Sequence, residues 1–377
     1  MINTKIKQKD SDISHQGWGA VHGGYYAQLP NQQNMLEDTE RTGKYHQSIA
    51  LNMPDFMGKV VLDVGAGSGI LSFFAAQAGA KKVYAVEVTE MAGYAQKLVE
   101  ANGLSDKIEV IQEQIEDLVL PEKVDIIISE PMGLLLVHER MMEVYALARK
   151  RWLKPGGKMF PNRGNIFIAP FSDTSLHATH IEKARFWESK SFYGIDMTIL
   201  ADTALNHYFS RPLVGPVDPN ILMAKPCSHE IDFLTATPED YAQIEFDINF
   251  EANSTGLVHG LAGWFDVLFE GSVYQGQLTT RPSALETHWH QIRFLFEQPI
   301  AMNRGQKFSG VVKLSANNER SYDMLIEGEL KGTDVRIKQN FYIQNHLHWW
   351  HSSSKPENAQ PNPENYGLTT VPILNTK

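Results

Sequence analysis

The stretch VLDVGAGSGILSFFA, residues 61–75, constrains the fold more than any other part of the chain. An apolar run ends at Asp63 and Val64, glycines stand at 65, 67 and 69, and a helix-like segment opens at Ile70. Glycines at that spacing permit a tight strand-to-helix turn, in which the backbone approaches a ligand and the first helical amides face it. The rest of 43–157 has the matching texture. KVYAVEV, KIEVIQ and VDIIISE are strand-like apolar runs separated by amphipathic segments, as βαβ units with a parallel sheet require. The nicotinamide fingerprint asks for a glycine where Ile70 stands, which disfavours an oxidoreductase.

After KPGGKMFPN, whose prolines and glycines read as a break, the texture changes. NIFIAPF, QIEFDINFE, GWFDVLFE, QIRFLFE and FSGVVKL are short, aromatic and β-branched, the pattern of an antiparallel sandwich or barrel. A helical insert over about 175–210 carries Phe186, Trp187, Phe192 and Tyr193, which are costly to expose and predict burial on a second subunit. The expected organisation is a mobile leader over 1–20, a ligand-binding parallel-sheet domain over 21–157, a barrel over 158–345 with its arm, and a Pro/Asn-rich tail over 346–377.

Composition narrows the function. A single cysteine, Cys227, excludes an intramolecular disulfide framework and points to a reducing compartment, cytoplasmic or nuclear. No apolar run reaches the roughly 18 residues that span a bilayer, so no membrane role is expected. A net charge of -10 argues against direct nucleic-acid binding and is compatible with cationic partners. LHWWH, with His346, His348 and His351, raises the question of a metal; with no cysteine nearby and strand-like neighbours, none is expected.

Two carboxylates frame SEPMGLLLVHERM, residues 129–141: Glu130 at the end of the fourth strand and Glu139 after a turn that Gly133 permits. A guanidinium stays protonated at physiological pH and offers a planar fork of donors, so two carboxylates can grip it and leave electron density on the nitrogen facing away.

The GxGxG turn with Asp63 before it and Glu87 closing the next strand resembles the S-adenosylmethionine site of class I methyltransferases, with a Rossmann-like sheet. NQQNMLEDTERTGKY, SEPMG, HERM, GLVHGLAGWFDV and THWHQIR resemble protein arginine N-methyltransferases, the coactivator-associated branch in particular, over about residues 25–330. The resemblance implies an α/β fold with a following β-barrel, a head-to-tail homodimer through the arm, and arginine-containing protein substrates such as histones or RNA-binding proteins. It implies that Glu130 and Glu139 grip the arginine, that His288 pairs with Asp38, and that Tyr26 takes the place of the last tyrosine of the family's N-terminal signature. Gln32, Arg41, Gly65, Gly67, Gly69, Glu87 and Glu116 fall at cofactor positions, Arg41 on the methionine carboxylate and Glu116 at the adenine amine. Met35, Met141 and Trp289 fall on the acceptor side, and the two methionines imply asymmetric dimethylarginine. The chain departs from the family at His22 and Gly23, Leu134 and Val144. Those departures motivate the alternative of a catalytically weak dimeric protein that recruits cationic partners.

Overall fold

The computed structural model describes residues 23–349; the expected leader, His22, His351 and the rest of the Pro/Asn-rich tail lie outside them. Helices α1 (Leu29–Glu37) and α2 (Thr39–Ala50) meet at Asp38, whose carboxylate caps α2 by accepting from the Arg41 amide at 2.9 Å. From the inner face of α2 the Tyr45 hydroxyl donates to the Ser129 carbonyl at 2.7 Å.

That sheet has the order β3-β2-β1-β4-β5. Its strands are β1 (Val60–Val64), β2 (Lys82–Val86), β3 (Ile108–Ile111), β4 (Val124–Ser129) and β5 (Leu153–Phe160), all paired in parallel. β1 is buried at all five positions, as a strand covered on both faces must be. α3 (Ile70–Gln77), α4 (Met91–Ala101) and α5 (Met141–Trp152) are the adjoining helices. The strand order turns back between β1 and β4, which opens a crevice at their carboxyl ends.

KPGGKMF is a difference from expectation. Read as a break, it forms most of β5, and the sheet runs on to Phe160 opposite Ile128, three residues past the expected boundary. Gly157 explains the misreading, because a Cβ there would come within 2.8 Å of the Asp125 carbonyl. The glycine permits close strand packing where it was taken as a breaker.

Beyond β5 lie two antiparallel layers. One has the order β15-β14-β13-β9, from β9 (Gln243–Glu251), β13 (Lys307–Ala316), β14 (Tyr322–Leu330) and β15 (Arg336–Tyr342). In β9 the sequence QIEFDINFE alternates perfectly, burying Ile244, Phe246, Ile248 and Phe250. The other layer runs β16-β7-β12-β10-β6-β8, with β11 (Gln275–Thr279) also on β10. Its members are β6 (Arg163–Phe171), β7 (Leu213–Gly215), β8 (Cys227–Asp232), β10 (Gly256–Glu270), β12 (Gln291–Met302) and β16 (Leu347–His348). β16, assigned above to the tail, pairs in parallel with β7.

The expected arm is helical at its base, in α6 (Thr174–Arg185) and α7 (Ala201–Phe209). Leu176 and Phe209 pack on Ala169, Ala262 and Trp264 of the sheet. Between the helices Phe186, Phe192, Tyr193, Ile195 and Ile199 are exposed, Tyr193 to 94% and Ile199 to 87%, and Trp187 is half-buried.

Candidate active site

The glycine turn follows β1 directly. Gly65, Gly67 and Gly69 have φ of 70°, 55° and 84°, the left-handed region where only glycine is unstrained. Gly67 donates its amide to Glu87 at 2.9 Å, and a Cβ on it would sit 2.8 Å from Gln32 Oε1. Glu87 also accepts from the Thr89 amide at 2.8 Å, so its carboxylate is held in place just past β2. Gly65, Gly67, Gln32 and Glu87 line a cavity of about 260 Å³, together with Tyr26, Met35, Arg41, Glu130, Glu139, Met141, His288 and Trp289.

Three expected cofactor residues stand elsewhere. Asp63 is fully buried beneath the turn; one oxygen accepts from the Ser72 hydroxyl at 2.7 Å, the other has no partner, and burial pushes its pKa up to about 7. It does not line the cavity. Gly69 does not either; it caps α3 at positive φ. Glu116, expected at the end of β3, lies five residues beyond it, on a smaller adjoining cavity with Gly65, Glu87, Met141 and Val144.

Glu130 and Glu139 reach the main cavity by different routes. Glu130 immediately follows β4, and Arg41 Nε donates to it at 2.5 Å. Both side chains are nearly buried; burial opposes the charge on Arg41, but Glu130 more than restores it and raises the pKa. Glu139 sits in the turn His138–Arg140 at φ 73°, and the Tyr26 hydroxyl donates to both its oxygens at 2.8 Å. Burial, with the charge of Glu130 added, lifts Glu139 to about 7 against the opposing effects of Tyr26 and Arg320.

Asp38 and His288, 250 residues apart, meet at 2.7 Å through Nδ1, and the same oxygen accepts from the His288 amide at 2.9 Å. Burial alone would raise the Asp38 pKa; the bonds from His288 and the Arg41 amide outweigh it and lower it. Trp289 is buried, and its indole donates to the Met132 carbonyl at 3.0 Å, tying the barrel to the loop after β4. Met35 and Met141 flank the cavity, and the Met141 methyl lies 3.3 Å from where a Gly65 Cβ would stand.

An arginine methyltransferase oligomerization subdomain profile matches residues 162–333, and a methyltransferase domain profile matches 61–157. Among solved structures, protein arginine methyltransferase 10 of Arabidopsis thaliana superposes with a TM-score of 0.78 at 35% identity, covering 84% of this chain and 99% of that one. The chain belongs to the protein arginine methyltransferase family.

A second member, the arginine methyltransferase 1 enzyme-prozyme complex of Trypanosoma brucei with AdoHcy, gives a TM-score of 0.77 at 32% identity over 84% of this chain and 99% of that one. The histone-arginine methyltransferase CARMER of Anopheles gambiae is 49% identical over 321 residues, 85% of this chain and 51% of its own. A probable histone-arginine methyltransferase 1.3 of Arabidopsis thaliana is 51% identical over 311 residues, 82% of this chain and 58% of its own. These likenesses put the chain in the coactivator-associated branch, and it spans little more than half the length of these curated relatives. Within the family frame, sequence reasoning missed four features of the cavity. Nothing local signals the bond from Arg41 to Glu130, 89 positions apart, and the imidazoles of His138, His346 and His348 all line the same cavity. His346 and His348 had been weighed only as metal ligands.

Proposed function

We propose that the protein transfers methyl groups from S-adenosylmethionine to guanidino nitrogens of arginine in protein substrates, giving mono- and asymmetric dimethylarginine. The observation that carries this reading is the convergence of Glu130 and Glu139 on the cavity that the glycine turn opens. The cavity fits the cofactor. The glycine turn brings bare backbone to the cavity, the Glu87 carboxylate, held by the Gly67 and Thr89 amides, would accept from a ribose, and Glu116 on the adjoining hollow would accept from an adenine amine. When bound, S-adenosylmethionine supplies an electrophilic methyl on a sulfonium.

The chain's own residues do the rest. Glu130 and Glu139 hold the acceptor guanidinium, and drawing its charge to one side leaves density on the nitrogen to be methylated. Tyr26 orients Glu139 by sharing its one hydroxyl proton between the two carboxylate oxygens. The proton released on methylation has an acceptor in His288, whose tautomer and orientation Asp38 holds. Met35 and Met141 are unbranched and adaptable, so a nitrogen already carrying one methyl is accommodated and the second lands on it. Substrates are arginine-containing proteins, histones among them, met in the nucleus or cytoplasm. A head-to-tail dimer buries the exposed arm residues. The test is incubation with labelled S-adenosylmethionine and an arginine peptide, followed by chromatography of acid hydrolysates. Asymmetric dimethylarginine is the expected product; mainly symmetric product overturns the product assignment, and no transfer overturns the activity.

A further inference from the structure

The mouth of the cavity carries an imidazole wall that the reaction above does not use. His138 adjoins Glu139 in the same turn, His346 follows the turn Ile343–Asn345, and His348 lies on β16. The His138 and His346 rings are 5.6 Å apart and those of His346 and His348 5.5 Å, each pair edge-to-face. Two distant segments of chain thus place three imidazoles on the cavity that holds the two glutamates. Among the described residues no three His, Cys, Asp or Glu side chains are grouped to hold a metal ion.

Hydrogen bonding defines what the wall can do. His138 Nδ1 lies 2.8 Å from the Ser321 hydroxyl. His346 Nδ1 donates to the Ile343 carbonyl at 3.0 Å, so its neutral ring carries the proton there and offers only a lone pair at Nε2. A second proton turns Nε2 into a charged donor. Arg211, whose Nε donates to the Asn345 carbonyl at 2.8 Å, adds a fixed positive charge that bears on the same ring. The acidic groups of the cavity are engaged inside it: Glu130 with Arg41, Glu139 with Tyr26, Asp38 with His288. Outside the cavity lining, His290 is paired with Glu286 at 2.8 Å.

We propose that His138, His346 and His348 form a subsite for one anionic side chain, a carboxylate or a phosphate ester, that the protein substrate carries beside its target arginine. The proposal rests on the arginine-methyltransferase reading of the same cavity and adds a substrate preference to it. Burial, with His348 and Arg211 alongside, pushes His346 below the usual histidine range. A bound anion favours the charged imidazole, and binding therefore takes up a proton. Preference for an anionic neighbour strengthens as pH falls. A lysine or arginine in that place is repelled over the same range.

The test uses the full-length protein with S-adenosylhomocysteine and labelled peptides of one sequence, differing only in alanine, aspartate or phosphoserine at single positions flanking the arginine. Binding is read by anisotropy at pH 6 and pH 8. At one flanking position, the aspartate peptide is expected to bind about ten-fold tighter than alanine at pH 6, and within about two-fold at pH 8, as one charge-assisted hydrogen bond gained and lost would give. Aspartate decides the case, because its charge is constant over this range while phosphate gains charge towards pH 8. Tighter binding of phosphoserine alone assigns the subsite to a phosphate ester. His346→Gln with His348→Gln removes the preference, and His346→Lys restores it without the pH dependence. Equal affinities for all peptides at both pH values overturn the proposal, as does a double Gln variant that keeps the preference. Turnover of the alanine peptide at pH 8 reports the methyltransferase reading separately, so loss of that activity is distinguishable from a missing anion subsite.

Discussion

The two loops that build the site solve the same geometric problem with different residues. After β1, the chain turns through positive φ at Gly65, Gly67 and Gly69, where no side chain resists. After β4, it turns through positive φ at Leu135, Leu136, Glu139 and Arg140, none of them glycine. Each such residue costs on the order of 1 kcal/mol or more and persists only where surroundings over-determine it. Those surroundings are visible: Leu135 and Leu136 are buried in the core, Tyr26 holds Glu139, and Arg140 is clamped by Glu143 and the Asn317 carbonyl. The loop expected to take the cofactor relies on absent side chains; the loop expected to take the arginine relies on present ones. Strain sits on the side where carboxylates must be aimed.

The largest predicted effect tests that division. Glu130→Gln removes one of the two grips and leaves Arg41 as a buried cation without its anion, so turnover on an arginine peptide should fall about a thousand-fold and the melting temperature should drop as well. Glu139→Gln separates the two effects. Because burial already disfavours its charge, turnover should fall about a hundred-fold with the melting temperature held or raised; a large thermal loss would show that the charge of Glu139 stabilises the loop. The pH profile follows from the same group. The cationic substrate needs ionised Glu139, and with its pKa at about 7, kcat/KM should climb from pH 6 to pH 8 by about ten-fold, the change in ionised fraction. A profile flat over that interval would mean that Glu139 is ionised throughout. The smallest effect belongs to the glycine loop: Gly67→Ala meets the flexible end of Gln32 and a positive φ, so S-adenosylmethionine affinity by calorimetry should weaken about five-fold to ten-fold. Unchanged affinity would show that the loop moves freely on binding.

Legibility followed the same line. The glycine turn could be read because its residues advertise a backbone conformation, and β1 to β4 could be read because each is an apolar run. β5 was missed where proline and glycine look like ordinary punctuation and Gly157 in fact serves close packing against Asp125. The double-glutamate loop offers no periodicity; the carboxylates stood out only from their place at the sheet edge and from family resemblance. Pairings such as Asp38 with His288, or Arg41 with Glu130, are products of tertiary folding over 250 and 89 positions and leave no local trace. The same holds for β16, two residues long and paired with β7, which carries His348 to the cavity. Asp63 lies apart from the cavity for a related reason: its place before a glycine turn is legible in the sequence, and its bond to Ser72 beneath the turn is not.

The bond from Arg41 to Glu130 makes the site a competition among three charges. A guanidinium arriving at Glu130 meets a carboxylate already holding one of its own kind, and part of its binding free energy goes to displacing or sharing that partner. An anion that draws Arg41 away lowers this cost. Occupancy at the two ends of the cavity is then linked, and by reciprocity whatever factor a cofactor's carboxylate on Arg41 adds to arginine affinity, arginine returns to the cofactor.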